Sequence, residues 1–193
     1  MNVINSNRKF LLKAIRLIAL LGLLVGVSHR AYGATPAFTE YQVKALFLFN
    51  FAKYVDWPAE AFLSKNAPIV IGVLGKDNFK EDLQRAVESK SITGRTIIIK
   101  YVTADAELSG CHILFISASE KSRLEEILVK TGTLPILTVG EQEQFLEKNG
   151  IINFRLKKEN IRLEINLAAA RKANVQISSK LLAVADVVMG KLD

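Results

Sequence analysis

Four continuous apolar runs constrain the fold of this chain more than any other feature. They occupy residues 68–75 (PIVIGVLG), 96–102 (TIIIKYV), 112–117 (HILFIS) and 135–140 (PILTVG). Each is short, rich in β-branched side chains and free of polar alternation, as expected of strands covered on both faces. Amphipathic helical patterns follow three of them. FKEDLQRAVESK comes after the first, with Asp77 or Asn78 placed to cap it; SEKSRLEEILVKT and EQEQFLEKNG come after the last two. Strands alternating with such helices predict a parallel sheet between layers of helix.

The flanking segments read differently. EYQVKALFLFNFAKYVDWP, from Glu40, predicts a helix capped by Thr39 and ended by Asp56-Trp57-Pro58, since the residue before a proline is disfavoured in helical geometry. Phe47, Phe51 and Tyr54 share one of its faces and Val43, Leu46 and Asn50 a neighbouring stripe, so more than one side should be packed. Residues 151–156 and 161–166 alternate strictly. Ile152, Phe154 and Leu156 oppose Asn153 and Arg155, while Ile161, Leu163 and Ile165 oppose Arg162 and Glu164. With Lys157-Lys158-Glu159-Asn160 as the turn, this predicts an antiparallel hairpin with one solvated face. A long closing helix is expected after it, with Ile177, Leu181, Val184 and Val188 as a buried seam. The fold expected is α/β: a mostly parallel sheet flanked by helices, with a C-terminal antiparallel β-hairpin and a closing helix.

A leader precedes this domain. Arg8, Lys9, Lys13 and Arg16 lie in a stretch without acidic residues, and residues 17–27 (LIALLGLLVGV) then form an apolar run of 11. A bilayer core needs about 20 such residues, whereas a secretory h-region needs fewer. Ala31 and Gly33 supply the small side chains of a cleavage site, which predicts scission between Gly33 and Ala34. An uncleaved anchor is the weaker reading, because Arg30 closes the run early. The expected organisation is residues 1–33 as a removed signal peptide and 34–193 as a single domain, exported to the periplasm and not inserted in the membrane after cleavage.

Cleavage also changes the charge. The full chain carries 26 basic and 19 acidic residues, a formal +7. Loss of Arg8, Lys9, Lys13, Arg16 and Arg30 leaves 21 against 19, a formal +2. The basicity belongs to the leader, and no nucleic-acid partner is implied. A mature chain of 160 residues is long enough to fold without a metal or disulfide. Cys111 is the single cysteine, so an intrachain disulfide is excluded and a buried small hydrophobe is the expected role.

Catalytic constellations are absent. The mature chain has one histidine, His112, at the start of a strand that reads as buried. No Ser or Asp motif frames it as a general base. One His and one Cys do not make a zinc site. The pairs Glu125/Glu126 and Glu141/Glu143 read as solvated faces, and Lys157-Lys158 as a soluble hairpin tip. No catalytic residue, metal or cofactor is therefore expected.

Two sets of binding candidates remain. In a parallel sheet, the turns after residues 68–75, 112–117 and 135–140 gather at the carboxyl edge, where open α/β sheets place ligands. Gly75, Asp77, Asn78, Ser117, Ser119, Glu120, Gly140 and Glu141 are the candidates there, although plain βα turns explain the same residues. The dinucleotide and phosphate-loop fingerprints are both missing. Phe47, Phe51, Tyr54 and Trp57 are the candidates for a dimer or partner seam, with core packing as the alternative.

EYQVKALFLFNFAKYVDWP, IVIGVLGKDNF, GRTIIIKYV, CHILFIS with Ser119-Glu120, ILTVGE with Phe145, GIINF and IRLEINLAAARKANVQISSKLLAVA follow one another in this chain. In that order they resemble the YfiR-like family from about Glu40 to Val188. The resemblance implies a small periplasmic regulator that binds the periplasmic sensor domain of an inner-membrane diguanylate cyclase. The cytoplasmic catalytic domain is held inactive, and release raises cyclic di-GMP and favours biofilm behaviour. It also implies a possible homodimer. Members proposed to sense redox state need two or more cysteines; with Cys111 alone, an intramolecular disulfide switch is excluded here.

Overall fold

The structure, a computed structural model, describes residues 38–190 apart from 77, 79 and 105. The leader, its cleavage after Gly33 and the candidate Asp77 lie outside the described residues.

Helix α1 (Glu40–Tyr54) starts where its sequence says it should. Thr39 closes a capping box: its Oγ1 accepts the Gln42 N–H at 3.2 Å, and Gln42 Oε1 accepts the Thr39 N–H at 3.0 Å. The chain then turns extended through β1 (Val55–Asp56) ahead of Pro58. Next come β2 (Ile69–Leu74), α2 (Lys80–Val87), β3 (Ser91–Ile92), β4 (Arg95–Val102), β5 (Ile113–Ile116), a 3-10 turn over Ala118–Arg123, α3 (Leu124–Thr131) and β6 (Leu137–Gly140). The last part holds β7 (Ile152–Lys157), β8 (Asn160–Asn166), α4 (Leu167–Lys172), β9 (Gln176–Ile177), α5 (Ser179–Leu182) and β10 (Val187–Met189).

Eight strands form one sheet in the order β10-β8-β7-β6-β5-β2-β4-β3. All pairs from β7 through β4 are parallel, β10 is parallel to β8, and the β7–β8 hairpin and β3–β4 pair are antiparallel. Period-two alternation divides the side chains between two cores. Ile71, Val73, Ile113, Phe115, Leu137, Val139, Ile152 and Phe154 pack with α1 and α2 on one face. Leu74, Leu114 and Ile116 pack with Leu124, Ile127 and Leu128 of α3 and with Phe145 on the other. This is why β2, β5 and β6 are almost wholly apolar: every residue in them is buried, Thr138 of β6 included, whose Oγ1 accepts the Ile151 N–H.

Three elements depart from the sequence expectation. Coverage on both faces is expected of β4, yet only Ile97 in it is buried. It lies next to the sheet edge, flanked outside by a strand of two residues, so Ile98 and Tyr101 remain exposed. The second departure is EQEQFLEKNG, which forms turns in place of a helix. Gln144 and Asn149 adopt φ of 61° and 68°, and the segment wraps around the buried ring of Phe145. That ring fits because a Cβ on Gly140 or Gly150 would meet it at 2.3 and 2.1 Å.

The closing helix is the third. Asn174, at φ 53°, ends α4 in the left-handed conformation that asparagine tolerates best among non-glycine residues. β9 then pairs with β1, placing Ile177 opposite Val55. Ser178 caps the single turn of α5, and β10 joins the sheet beside β8. Leu181 is buried, but Val184 is 61% exposed. The expected seam is split among three short elements.

Candidate functional site

The parallel order brings the ends of β2, β5 and β6 to one edge, with the topological switch point between β2 and β5. Most of the candidates read from the sequence meet there, and they bond chiefly to neighbouring residues of the turns and of α1. Gly75 has φ 92°, and a Cβ on it would sit 2.5 Å from Ser119 Oγ and against Glu120. The Lys76 N–H donates to Ser119 Oγ at 2.9 Å, and Ser117 Oγ donates to the Lys76 carbonyl. Gln142 Nε2, which follows Gly140 and Glu141, donates to the Ser117 carbonyl at 2.8 Å. Asn78 Nδ2 donates to the Tyr41 hydroxyl at 2.9 Å.

Glu141 is the hub of this edge. Its Oε1 accepts the Ala118 N–H at 3.0 Å, and its Oε2 accepts Lys44 Nζ at 2.6 Å. Lys44, only 3% exposed, also donates to Glu40 one helical turn before it. Burial alone lowers its pKa, but the hydrogen bonds it donates to Glu141 and Glu40, with their charges, outweigh that and hold it above the usual lysine value. The triad ties the first turns of α1 to the carboxyl edge, much as Tyr41 does through Asn78. A lysine among apolar residues early in the helix, four residues after a glutamate, is the sequence signal for it.

The aromatic candidates divide. Phe47 and Phe51 stack with centroids 6.0 Å apart, and each lies 5.9 Å from Phe154. Phe51 is fully buried, whereas Phe47 and Tyr54 are half-buried at the margin of the same core. Trp57 leaves this group for the opposite end of the sheet, where its Nε1 donates to the His112 carbonyl at 3.0 Å.

That amino edge holds a cleft of about 620 Å³. Its walls come from the start of β2 (Pro68, Val70), the middle of β4 (Ile98, Lys100), the approach to β5 (Gly110, His112) and the lead into β6 (Leu134, Pro135), with Ala61 and Leu63 at its rim. His112 is 5% exposed. Its Nδ1 accepts the Val70 N–H at 3.1 Å, which puts the proton of the neutral ring on Nε2. Phe62 stacks on the ring at 4.4 Å and Trp57 meets it edge-on at 5.9 Å. The Arg95 guanidinium lies 3.7 Å from the Phe62 centroid. Burial, then the Arg95 charge, lower the His112 pKa to about 4, against a smaller opposing effect of the Ala61 carbonyl. That carbonyl does not reach hydrogen-bond geometry, and Nε2 is buried without a partner. Such an omission costs on the order of 1–3 kcal/mol. Cys111, next to His112, is buried with its Sγ against Gly72. Burial raises its thiol pKa, partly offset by Lys100.

The match to a family model spans residues 41–186, nearly the whole of this folded unit. The chain belongs to the YfiR/HmsC-like family. YfiR-like proteins are periplasmic regulators and not enzymes. Among the described residues, no helix is long and apolar enough to cross a membrane. No curated protein matches the chain in sequence. Among solved structures it is similar to a conserved domain protein from Vibrio cholerae O1 biovar eltor strain N16961, with a TM-score of 0.56 and 12% identity over 78% of this chain. The chain spans 60% of the length of that protein. A likeness at that identity concerns the fold alone.

Proposed function

We propose that this YfiR/HmsC-like chain acts in the periplasm by binding the sensor domain of an inner-membrane diguanylate cyclase and holding its cytoplasmic output inactive. The observation that carries this reading is the family match across residues 41–186. A second support is the leader, with its basic start and apolar run of 11 residues, which suits export. The surface itself offers a means. Carboxyl-edge turns tied together by hydrogen bonds of Lys44, Glu141, Ser117 and Ser119 offer a surface for recognition. Tyr54 and Phe47, half-buried on α1, are the proposed margin of a partner or homodimer seam.

Cross-linking in intact cells, followed by capture from the membrane fraction, tests the partner. The expected product joins this chain to an inner-membrane protein with a periplasmic sensor and a cyclase domain. Recovery of no such protein across several growth conditions would count against the proposal.

A further inference from the structure

The amino-edge cleft has a shape and chemistry that neither the family match nor the partner reading uses. Its volume of about 620 Å³ lies within the range of small-molecule sites, roughly 300–1,000 Å³. Leu63, Val70, Ile98 and Leu134 supply an apolar lining, and Leu63 is fully exposed at the rim. Leu63 and Ile98 thus leave aliphatic side chains in contact with water beside the concavity.

A cation and a hydrogen-bond donor belong to the same cleft. Lys100 makes no ion pair among the described residues. His112 lines the cleft with a buried Nε2 that no protein group satisfies. Because Nδ1 is committed to the Val70 N–H, Nε2 is a donor, and what it lacks is an acceptor. Glu60 and Glu107 also line the cleft, so it is not a general sink for anions. A polyanion would meet both carboxylates, whereas a ligand with one acidic group and an apolar body would not need to approach them.

We infer that the amino-edge cleft is a binding site for a small carboxylic acid with an apolar body, its carboxylate held by Lys100 and its entry placing an acceptor near His112. The body would lie along Val70, Ile98 and Leu134. Ala61 and Leu63 belong to the segment that carries Phe62, so binding would act on the stack of Phe62, His112 and Trp57 that fastens this segment to the sheet. The inference stands independently of the partner proposed above, because it concerns the isolated chain.

Titration of the full chain with 4-phenylbutyrate, followed through the His112 imidazole resonances by NMR and through heat of binding, is the direct test. Saturable binding with movement of the His112 signals is expected, weakened at least tenfold for the neutral 4-phenylbutyramide and for 4-phenylbutylamine. Lys100 is exposed, so Lys100→Gln should fold normally and lose about tenfold in affinity. His112→Asn keeps an acceptor near the Val70 N–H and removes the Nε2 donor. It should weaken binding also, with circular dichroism reporting whether the fold survives. Equal affinity for acid, amide and amine, or an unchanged affinity in Lys100→Gln, would overturn the assignment. Binding that leaves the His112 signals unmoved would place the ligand elsewhere and overturn it too.

Discussion

At the scale of single residues, buried polar groups do most to define this molecule. Lys44 is kept charged inside by two carboxylates. His112 is kept neutral by burial and by Arg95. The second has a consequence for stability. An unfolded chain protonates its imidazole near pH 6.5, whereas the folded chain resists until about pH 4. Between those values the unfolded state binds the proton that the native state refuses. Stability therefore falls as pH drops from about 6.5 to about 4 and is unaffected by this group below that, a loss of about 3 kcal/mol in all. Urea unfolding from pH 7 to pH 5 should show the decline, and His112→Asn should flatten it; an equal slope in both proteins would contradict this assignment. His112 is legible in the sequence as a buried strand-edge residue, and the structure places it so. Its environment of Phe62, Trp57 and Arg95 is not legible, because those residues lie 17 to 55 positions away and only the fold assembles them.

Among elements, those fixed by local chemistry are the legible ones. The α1 capping box, the apolar β2, β5 and β6, and the β7–β8 hairpin all follow from neighbours in sequence. Segments decided by distant packing are not legible. EQEQFLEKNG has a helical pattern, but the ring of Phe145, seated between Gly140 and Gly150, imposes turns instead. The closing segment has helical spacing too, yet pairing of β9 with β1 and of β10 with β8 divides it. The hairpin gives a prediction at this scale. Lys158 and Glu159 form its two-residue turn with φ of 48° and 64°, a conformation that suits Asn-Gly far better. The double variant Lys158→Asn, Glu159→Gly should stabilise the protein by about 1 kcal/mol and raise Tm by about 2–4 °C. Calorimetry showing no rise would mean that the turn is not strained as its dihedrals indicate.

For the molecule as a whole, the sheet order explains why two edges differ. At the carboxyl edge, the turns from β2, β5 and β6 hydrogen-bond to each other and to α1. At the amino edge, the same strands begin around an open cleft with an unpaired donor. The sequence points to the carboxyl edge because glycine and serine turns are conspicuous there. It picks out His112 but not the cleft around it at the amino edge, whose lining is drawn from five separated segments. On the two readings proposed above, the carboxyl edge would serve a partner and the amino edge a small ligand. The most direct test of the regulatory role is the cellular level of cyclic di-GMP with and without this chain. Removal should raise that level, and re-expression of the exported chain should restore it while a version lacking residues 2–33 should not. An unchanged level on removal, or full restoration by the leaderless form, would contradict the account.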